Sequence, residues 1–433
     1  MKAGSIPPAS IPATGDIAGS RVGAVLFVVV FIYCWVSVNP FENLQSPPAN
    51  AAALNQVTGF LLTIALFIYA AANGLTSMIL RPRSLILLLF GWLAMTSLMS
   101  VEPLVALRRL FFTGLICACA SLLLVLPKSR EQFTKLVGLS ALVILGASYL
   151  GVFLIPGRAV HQAYDLVEPG LAGDWRGVFN HKNGAAPAMV ILCFFGLYVM
   201  RASTSAARGA IVVLSLVFLW MTNGKTALGM FPLVLVLAFF LVRTPVFGAL
   251  LLGATLAATS TITLGSALSP EIHKFIADLG FDPTFTARTD IWSLALKAVE
   301  EQPVFGYGFG SFWGSDMLLN SADADDTWAV EASHAHNGFI EALLSGGVPA
   351  FVLTVLWLVV LPLRDIAAAK ARRADPALTA LFTRIWVYCV LSALLESNFF
   401  AGTGAVWVSL LIGVFGLRQQ ARNYLVVENE KAG

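Results

Sequence analysis

Charge is what this chain has least of. Only 12% of its 433 residues are Asp, Glu, Lys or Arg, against roughly 25% in a soluble domain. That shortage excludes a water-soluble globule. The formal net charge of +3 gives no basis for a nucleic-acid partner, which needs a concentrated basic surface. Cysteine is scarce as well. The five residues Cys34, Cys117, Cys119, Cys193 and Cys389 all lie inside apolar runs, which excludes a disulfide framework and metal-ligand spacing. No nucleotide fingerprint is present: Gly306, Gly308 and Gly310 are spaced G-x-G-x-G, unlike a dinucleotide or P-loop turn. Internal repeats are absent too.

What the chain has instead is long apolar runs. Hydrophobic residues make up 58% of it. A membrane-crossing helix needs about 20 predominantly apolar residues. Spans are expected near 22–38, 55–73, 85–100, 107–126, 134–156, 184–200, 208–222, 226–242, 246–265, 338–362, 379–397 and 401–417. The first run follows a Pro-rich head and is longer than the apolar part of a signal peptide, so it is read as a retained helix. The expected fold is an all-α integral membrane protein of about twelve spans. Its expected divisions are spans one to nine in 1–265, a large extracytoplasmic loop in 266–337, spans ten to twelve in 338–417 and a cytoplasmic tail in 418–433.

With the N-terminus inside, every even-numbered span exits into basic sequence: Arg81 and Arg83, Lys128 to Lys135, Arg201 and Arg208, Arg243, Arg364 to Arg373, then Arg418 and Arg422. Cytoplasmic loops carry that signature. The tight Thr222-Asn223-Gly224-Lys225 connection is kept as a turn, because fusing its two spans would move the Arg372-Arg373 pair outside. In the large loop, Arg288 to Glu301 reads as an amphipathic helix with Ile291, Trp292, Ala295, Leu296 and Val299 on one face. Pro303 ends it.

A minority of cations, Arg108, Arg109, Arg176, Lys182, Lys225 and Arg288, fall at the outer face. Topology does not account for them. Taken alone, Arg288 is a solvated helix residue paired with Asp290 and the others are headgroup contacts, but together they make a cationic basin that would concentrate an anionic lipid substrate. A lipid-linked diphosphate is the obvious candidate. Arg288 heads its helix, where a cation is unfavourable unless an anion is present, and guanidinium matches phosphate geometry. His334 and His336 sit where the large loop returns to the membrane, and a general base near neutral pH suits one of them. Glu341 lies at the lip of span ten, where ionisable groups are costly. Arg176, His181, Lys182 and Asn183 form a dense polar cluster ahead of span six, and Asn337 follows His336. Asp323, Asp325 and Asp326 miss the EF-hand register and read as a solvated acidic turn.

RGVFNHKNGAAP, TNGKTAL, ARTDIWSLALKAVEEQPVFGYGFGSF and HAHNGFIEALLSGGVPA occur in that order. In this it resembles the O-antigen ligase/polymerase-like family of bacterial membrane glycosyltransferases, and within it the exopolysaccharide polymerases of the succinoglycan type. The resemblance implies a GT-C-like multi-span transferase of the inner membrane, with a periplasmic site and cytoplasmic termini, using no cofactor and no metal. It implies a glycan donor on undecaprenyl diphosphate, released as the lipid diphosphate. It implies diphosphate contact by Arg288 and Arg176, and a base or acceptor-positioning role for His336. Family ligases commonly carry a Ser-Arg pair where this chain has Gly224-Lys225-Thr226, which favours a polymerase. A co-polymerase and a flippase are the expected protein partners, and no nucleic acid. The alternatives are a ligase moving finished glycan to lipid A, a transporter and a non-catalytic scaffold. A transporter would carry charge near the bilayer midplane, whereas here charge gathers at the outer lip. A scaffold would tolerate loss of Arg288 or His336.

Overall fold

The computed structural model describes residues 17–43, 50–75, 84–165, 168–201, 209–321 and 327–422. Arg81, Arg83, Arg208, Asp323, Asp325 and Asp326 lie outside the described residues. Within them the regular structure is helical, apart from one isolated antiparallel bridge between Val160 and Trp175. Each expected apolar run is a helix: α1 Ile17–Val36, α2 Ala51–Ala72, α3 Ser84–Leu98, α4 Pro103–Leu123, α5 Arg130–Leu154, α6 Lys182–Arg201, α7 Gly209–Met221, α8 Lys225–Arg243 and α9 Pro245–Leu268. The cap follows with α10 Pro270–Asp278 and α11 Arg288–Glu301. Then come α12 Gly338–Val355, a π-turn over Leu356–Val360, α13 Leu361–Ala371, α14 Pro376–Ser392 and α15 Ala405–Gln420. Seven of the helical segments, with α12 to α13 taken as one, are long and apolar enough to cross a membrane. This is a multi-pass membrane protein.

Burial sorts the helices. Almost every side chain of α14 and α15 is enclosed, as is most of α6, so these three form the centre. At the periphery α2 turns Leu61 and Ile68 outward, and α9 turns out Val246 and Leu250. In water such faces would be an aggregation hazard; in a bilayer they are the natural contact with acyl chains.

Turns and caps decide where helices start. Thr222, Asn223 and Gly224 separate α7 from α8, with Asn223 in the left-handed region at φ 52°, so these are two helices, as the charge argument requires. Asn337 caps α12 through its side-chain oxygen, accepting from the amides of Phe339 at 2.9 Å and Ile340 at 3.2 Å. The end of α14 differs from expectation. Hydropathy carries the run on through Leu394 and Leu395, but the helix stops at Ser392. Glu396 donates its amide to the Ser392 carbonyl at 2.9 Å, and Asn398 Nδ2 donates to Ser392 Oγ at 2.8 Å. Glu396 therefore stands in a turn beyond the helix.

α12 is broken in its middle by Gly346 and Gly347, the latter at φ 64°. The carbonyls released there are caught by α3: Trp92 Nε1 donates to Gly346 O at 2.7 Å and Thr96 Oγ1 to Ser345 O at 3.2 Å. Irregular backbone at membrane depth needs such partners. From the cap, the Tyr307 amide donates to Leu344 O at 2.7 Å. A Cβ at Gly306 would sit 2.5 Å from that same Leu344 oxygen. The G-x-G-x-G stretch is thus a close backbone seam between cap and bundle.

The cap has its own small core around Ile291, Trp292, Leu294, Ala295, Phe312, Val330 and Ala335. Trp292 Nε1 donates to Ala335 O at 2.9 Å, which ties α11 to the loop carrying His334 and His336.

Candidate active site

Of the helices that begin on a cation, three meet at one place: α6 on Lys182, α8 on Lys225 and α11 on Arg288. All three residues line one cavity of about 420 Å³, within the 300–1,000 Å³ range of small-ligand sites. Among its lining residues these three cations face two carboxylates, Glu168 and Glu396, a formal excess of one positive charge. Each helix N-terminus adds roughly half a charge. Peptide amides at a helix start are themselves anion ligands. The arrangement is suited to an anion larger than a single carboxylate.

The start of α11 is strained. Phe285, Thr286 and Ala287 have φ of 49°, 63° and 62°, three successive left-handed non-glycine residues that cost about 1–3 kcal/mol each. Asp282 holds the turn, accepting from Thr284 Oγ1 at 2.6 Å and from the Thr286 amide at 2.8 Å. Those bonds, the Thr284 hydroxyl first, keep its carboxyl below its usual range. Arg288 is aimed by the turn after α14: Nη1 donates to Leu395 O at 2.7 Å and Nη2 pairs with Glu396 Oε1 at 2.5 Å.

Glu396 is the residue that sequence reading missed, because it was counted inside a span. Its other oxygen, Oε2, lies 3.1 Å from His336 Nδ1. Burial alone would raise its pKa, but His336 and Arg288 outweigh that and hold it below the usual carboxylate value. As an ionised acceptor it fixes the proton of His336 on Nδ1 and leaves Nε2 with no hydrogen-bond partner among the described residues, the wiring of a carboxylate-oriented base. His336 does not line the cavity itself; it stands behind Glu396. Its backbone is left-handed at φ 47°. The His334 ring meets it edge-on at 4.1 Å, and burial together with His336 pushes His334 down to about 4, so His334 is neutral at pH 7.

On the other wall, His181 Nδ1 accepts from the Asn183 amide at 3.0 Å and its Nε2 meets Glu168 Oε2 at 2.5 Å. Lys182 Nζ pairs with Asp174 at 2.5 Å. His161, also unremarked in the sequence, accepts from the Lys182 amide at 3.2 Å. Burial, with His181 and Arg176 adding to it, lowers the pKa of His161 against the opposing pull of Asp165. Lys225 is exposed at the cavity edge and has no ion-pair partner among the described residues.

The expected basin is therefore divided. Five of the candidates line the cavity: His181, Lys182, Asn183, Lys225 and Arg288. Arg176 does not. It is only 2% exposed, and its guanidinium donates to the carbonyls of Glu42 at 2.9 Å, Asn180 at 3.1 Å and Phe179 at 3.4 Å. Arg109 donates to the Gly310 carbonyl and pins α4 to the cap; Arg108 is exposed away from the cavity. Glu341 Oε1 gathers Trp313 Nε1 at 3.0 Å, the Ala335 amide at 2.5 Å and Ser397 Oγ at 3.2 Å. It thereby joins the His336 loop to the Glu396 turn without reaching the cavity. Asn337 does similar work, donating from Nδ2 to Leu394 O at 3.1 Å. Among the described residues no three His, Cys, Asp or Glu side chains are grouped to hold a metal ion.

These features define a multi-pass α-helical membrane protein with a capped, cation-lined cavity at one end of its bundle. Residues 188–355 match the family described as O-Antigen ligase. Over 117 residues the chain is 25% identical to the exopolysaccharide production protein ExoQ of Rhizobium meliloti (strain 1021), covering 26% of this chain and 26% of that protein. The match thus spans about a quarter of that curated relative's length. Together the two findings support an O-antigen ligase/polymerase-like family. The family segment includes Lys225, Arg288, His336 and Glu341 and stops short of Glu396.

Proposed function

We propose that the protein is a polysaccharide polymerase. It transfers a glycan from undecaprenyl diphosphate to the next lipid-linked repeat unit at the extracytoplasmic face of the bacterial inner membrane. The observation that carries this reading is the convergence of Lys182, Lys225 and Arg288, each opening a helix, on one cavity backed by the Glu396–His336 pair. In this scheme the acceptor hydroxyl oxygen attacks the anomeric carbon as its proton passes, through a bridging water, to Nε2 of His336 behind the cavity wall. The bond from that carbon to the diphosphate oxygen breaks, and the electron pair leaves on the diphosphate. Lys225, Arg288 and the helix amides stabilise that charge without reorganising. Neither a metal nor a nucleotide sugar is required. The GT-C-like, twelve-span topology with both termini cytoplasmic belongs to the same proposal, as do a co-polymerase and a flippase as partners.

The test is reconstitution of the purified full chain with host undecaprenyl-diphosphate repeat units in EDTA without nucleotide, products being resolved by size. A ladder lost in both Arg288→Ala and His336→Ala supports the reading. No ladder, but transfer once lipid A is added, would replace it with a ligase. Gly224-Lys225-Thr226, in place of the Ser-Arg pair common in family ligases, favours the polymerase.

A further inference from the structure

Two imidazole–carboxylate pairs border the cavity, Glu168–His181 in its wall and Glu396 with His336 behind it, and they are wired in opposite senses. In Glu396–His336 both carboxylate oxygens are engaged, Oε1 by Arg288 and Oε2 by His336, and the imidazole keeps a free nitrogen. In Glu168–His181 the imidazole is saturated. Its Nδ1 accepts from the Asn183 amide, so Nε2 carries the proton and donates to Glu168 Oε2 at 2.5 Å. Such a ring has no lone pair to offer. What this pair presents is Glu168 Oε1, which has no hydrogen bond among the described residues, on a carboxylate half exposed in the cavity wall.

A carboxylate there repels a diphosphate, so the anion belongs with Lys225 and Arg288. A neutral polyol suits Glu168, since an ionised oxygen is a strong acceptor for hydroxyl protons. The neighbouring wall fits the same ligand. Asn183 and Asn223 offer amides, and Leu171, Pro187 and Met230 offer apolar surface to the C–H face of a sugar ring. We propose that Glu168, held in orientation by His181, is the acceptor subsite and binds a hydroxyl of the incoming sugar. This deepens the polymerase reading and rests on it for the identity of the sugar as acceptor.

The test measures binding, so it does not need turnover. The probe is the water-soluble oligosaccharide repeat released from the host's own lipid-linked intermediate, titrated into full-length protein, with undecaprenyl diphosphate titrated separately. Glu168→Gln keeps the shape and an oxygen for His181 to donate to. The expected result is an oligosaccharide affinity about tenfold weaker, the size of one lost hydrogen bond to a charged acceptor, with undecaprenyl-diphosphate affinity within about twofold of wild type. Retained diphosphate affinity also reports that the variant is folded. Equal oligosaccharide affinity in both proteins overturns the assignment, as does a wild type that does not bind the oligosaccharide. A parallel loss of diphosphate affinity overturns it too, by making Glu168 part of the donor site. If the tenfold difference stands but no polymer forms, the polymerase reading fails while the hydroxyl site survives.

Discussion

Arg288 and Arg176 are the same residue type with the same expectation, and the fold gives them opposite surroundings. Arg288 opens α11 at a cavity, and its partners are one carbonyl and one carboxylate from a single turn. Arg176 is sealed among three carbonyls, one of them on Glu42, 134 residues away. The first guanidinium can trade a partner for an incoming anion. The second is committed through both terminal nitrogens to backbone groups that would otherwise be buried without a donor, a costly state; its Nε is buried without a partner. An Arg at the end of an apolar run is therefore weak evidence for a ligand until its partners are known. What separates the two is whether the terminal nitrogens face a cavity or are held by buried backbone carbonyls.

The comparison is broken most directly by removing each Arg. Arg288→Ala should lower the rate of ladder formation by about 100-fold or more, the size of losing one preorganised donor to developing charge, with a smaller loss of stability from the broken Glu396 pair. Arg176→Ala should do the reverse. It should cost about 3 kcal/mol of stability, since charged hydrogen bonds contribute about 1.5–3 kcal/mol each and buried carbonyls are left orphaned. The surviving folded fraction should keep its undecaprenyl-diphosphate affinity within about twofold. Wild-type stability with lost diphosphate affinity would put Arg176 in the site after all.

The remaining variants sharpen it. Glu396→Gln should slow turnover about tenfold, since His336 loses the carboxylate that fixes its proton. The Glu396 carboxyl is depressed below its ordinary 4.5 in the fold. Its stabilisation is therefore fully present above about 4.5 and lost as pH falls through the depressed value. A melting-temperature difference between wild type and Glu396→Gln that is constant above pH 5 and shrinks below about 4.5 would show this; one that grows on acidification would refute it. His334, pushed to about 4, does not titrate near neutrality in the folded protein, so His334→Asn should change the rate less than about threefold and leave the pH–rate limb above pH 5 in place. An altered limb would transfer the base role from His336 to His334. Smallest of all, Arg109→Ala should change the rate less than about twofold, because an exposed side chain on one carbonyl contributes about 1 kcal/mol or less.

The helix that carries Arg288 was legible because its periodicity, its Pro303 stop and its cationic start are all local. The turn that carries Glu396 was not. Leu394 and Leu395 extend the apolar run, so hydropathy places Glu396 within a span, and only the capping bonds back to Ser392 show that the helix has ended. The seven-residue cluster from Arg176 to Lys182 was found as a group, but its members part company in space: Lys182 lines the cavity and Arg176 is enclosed.

By itself the sequence determined the solvent this protein lives in and the positions of its helices. Hydrophobic mass and the shortage of charge set the first, and both properties are additive along the chain. Local periodicity and turn residues set the second. Only the tertiary structure decided which ionisable groups face one another. Pairings such as Arg288 with Glu396, 108 residues apart, follow from how α11 and the end of α14 pack together. A side chain's chemistry is governed by the partners and the burial that packing supplies.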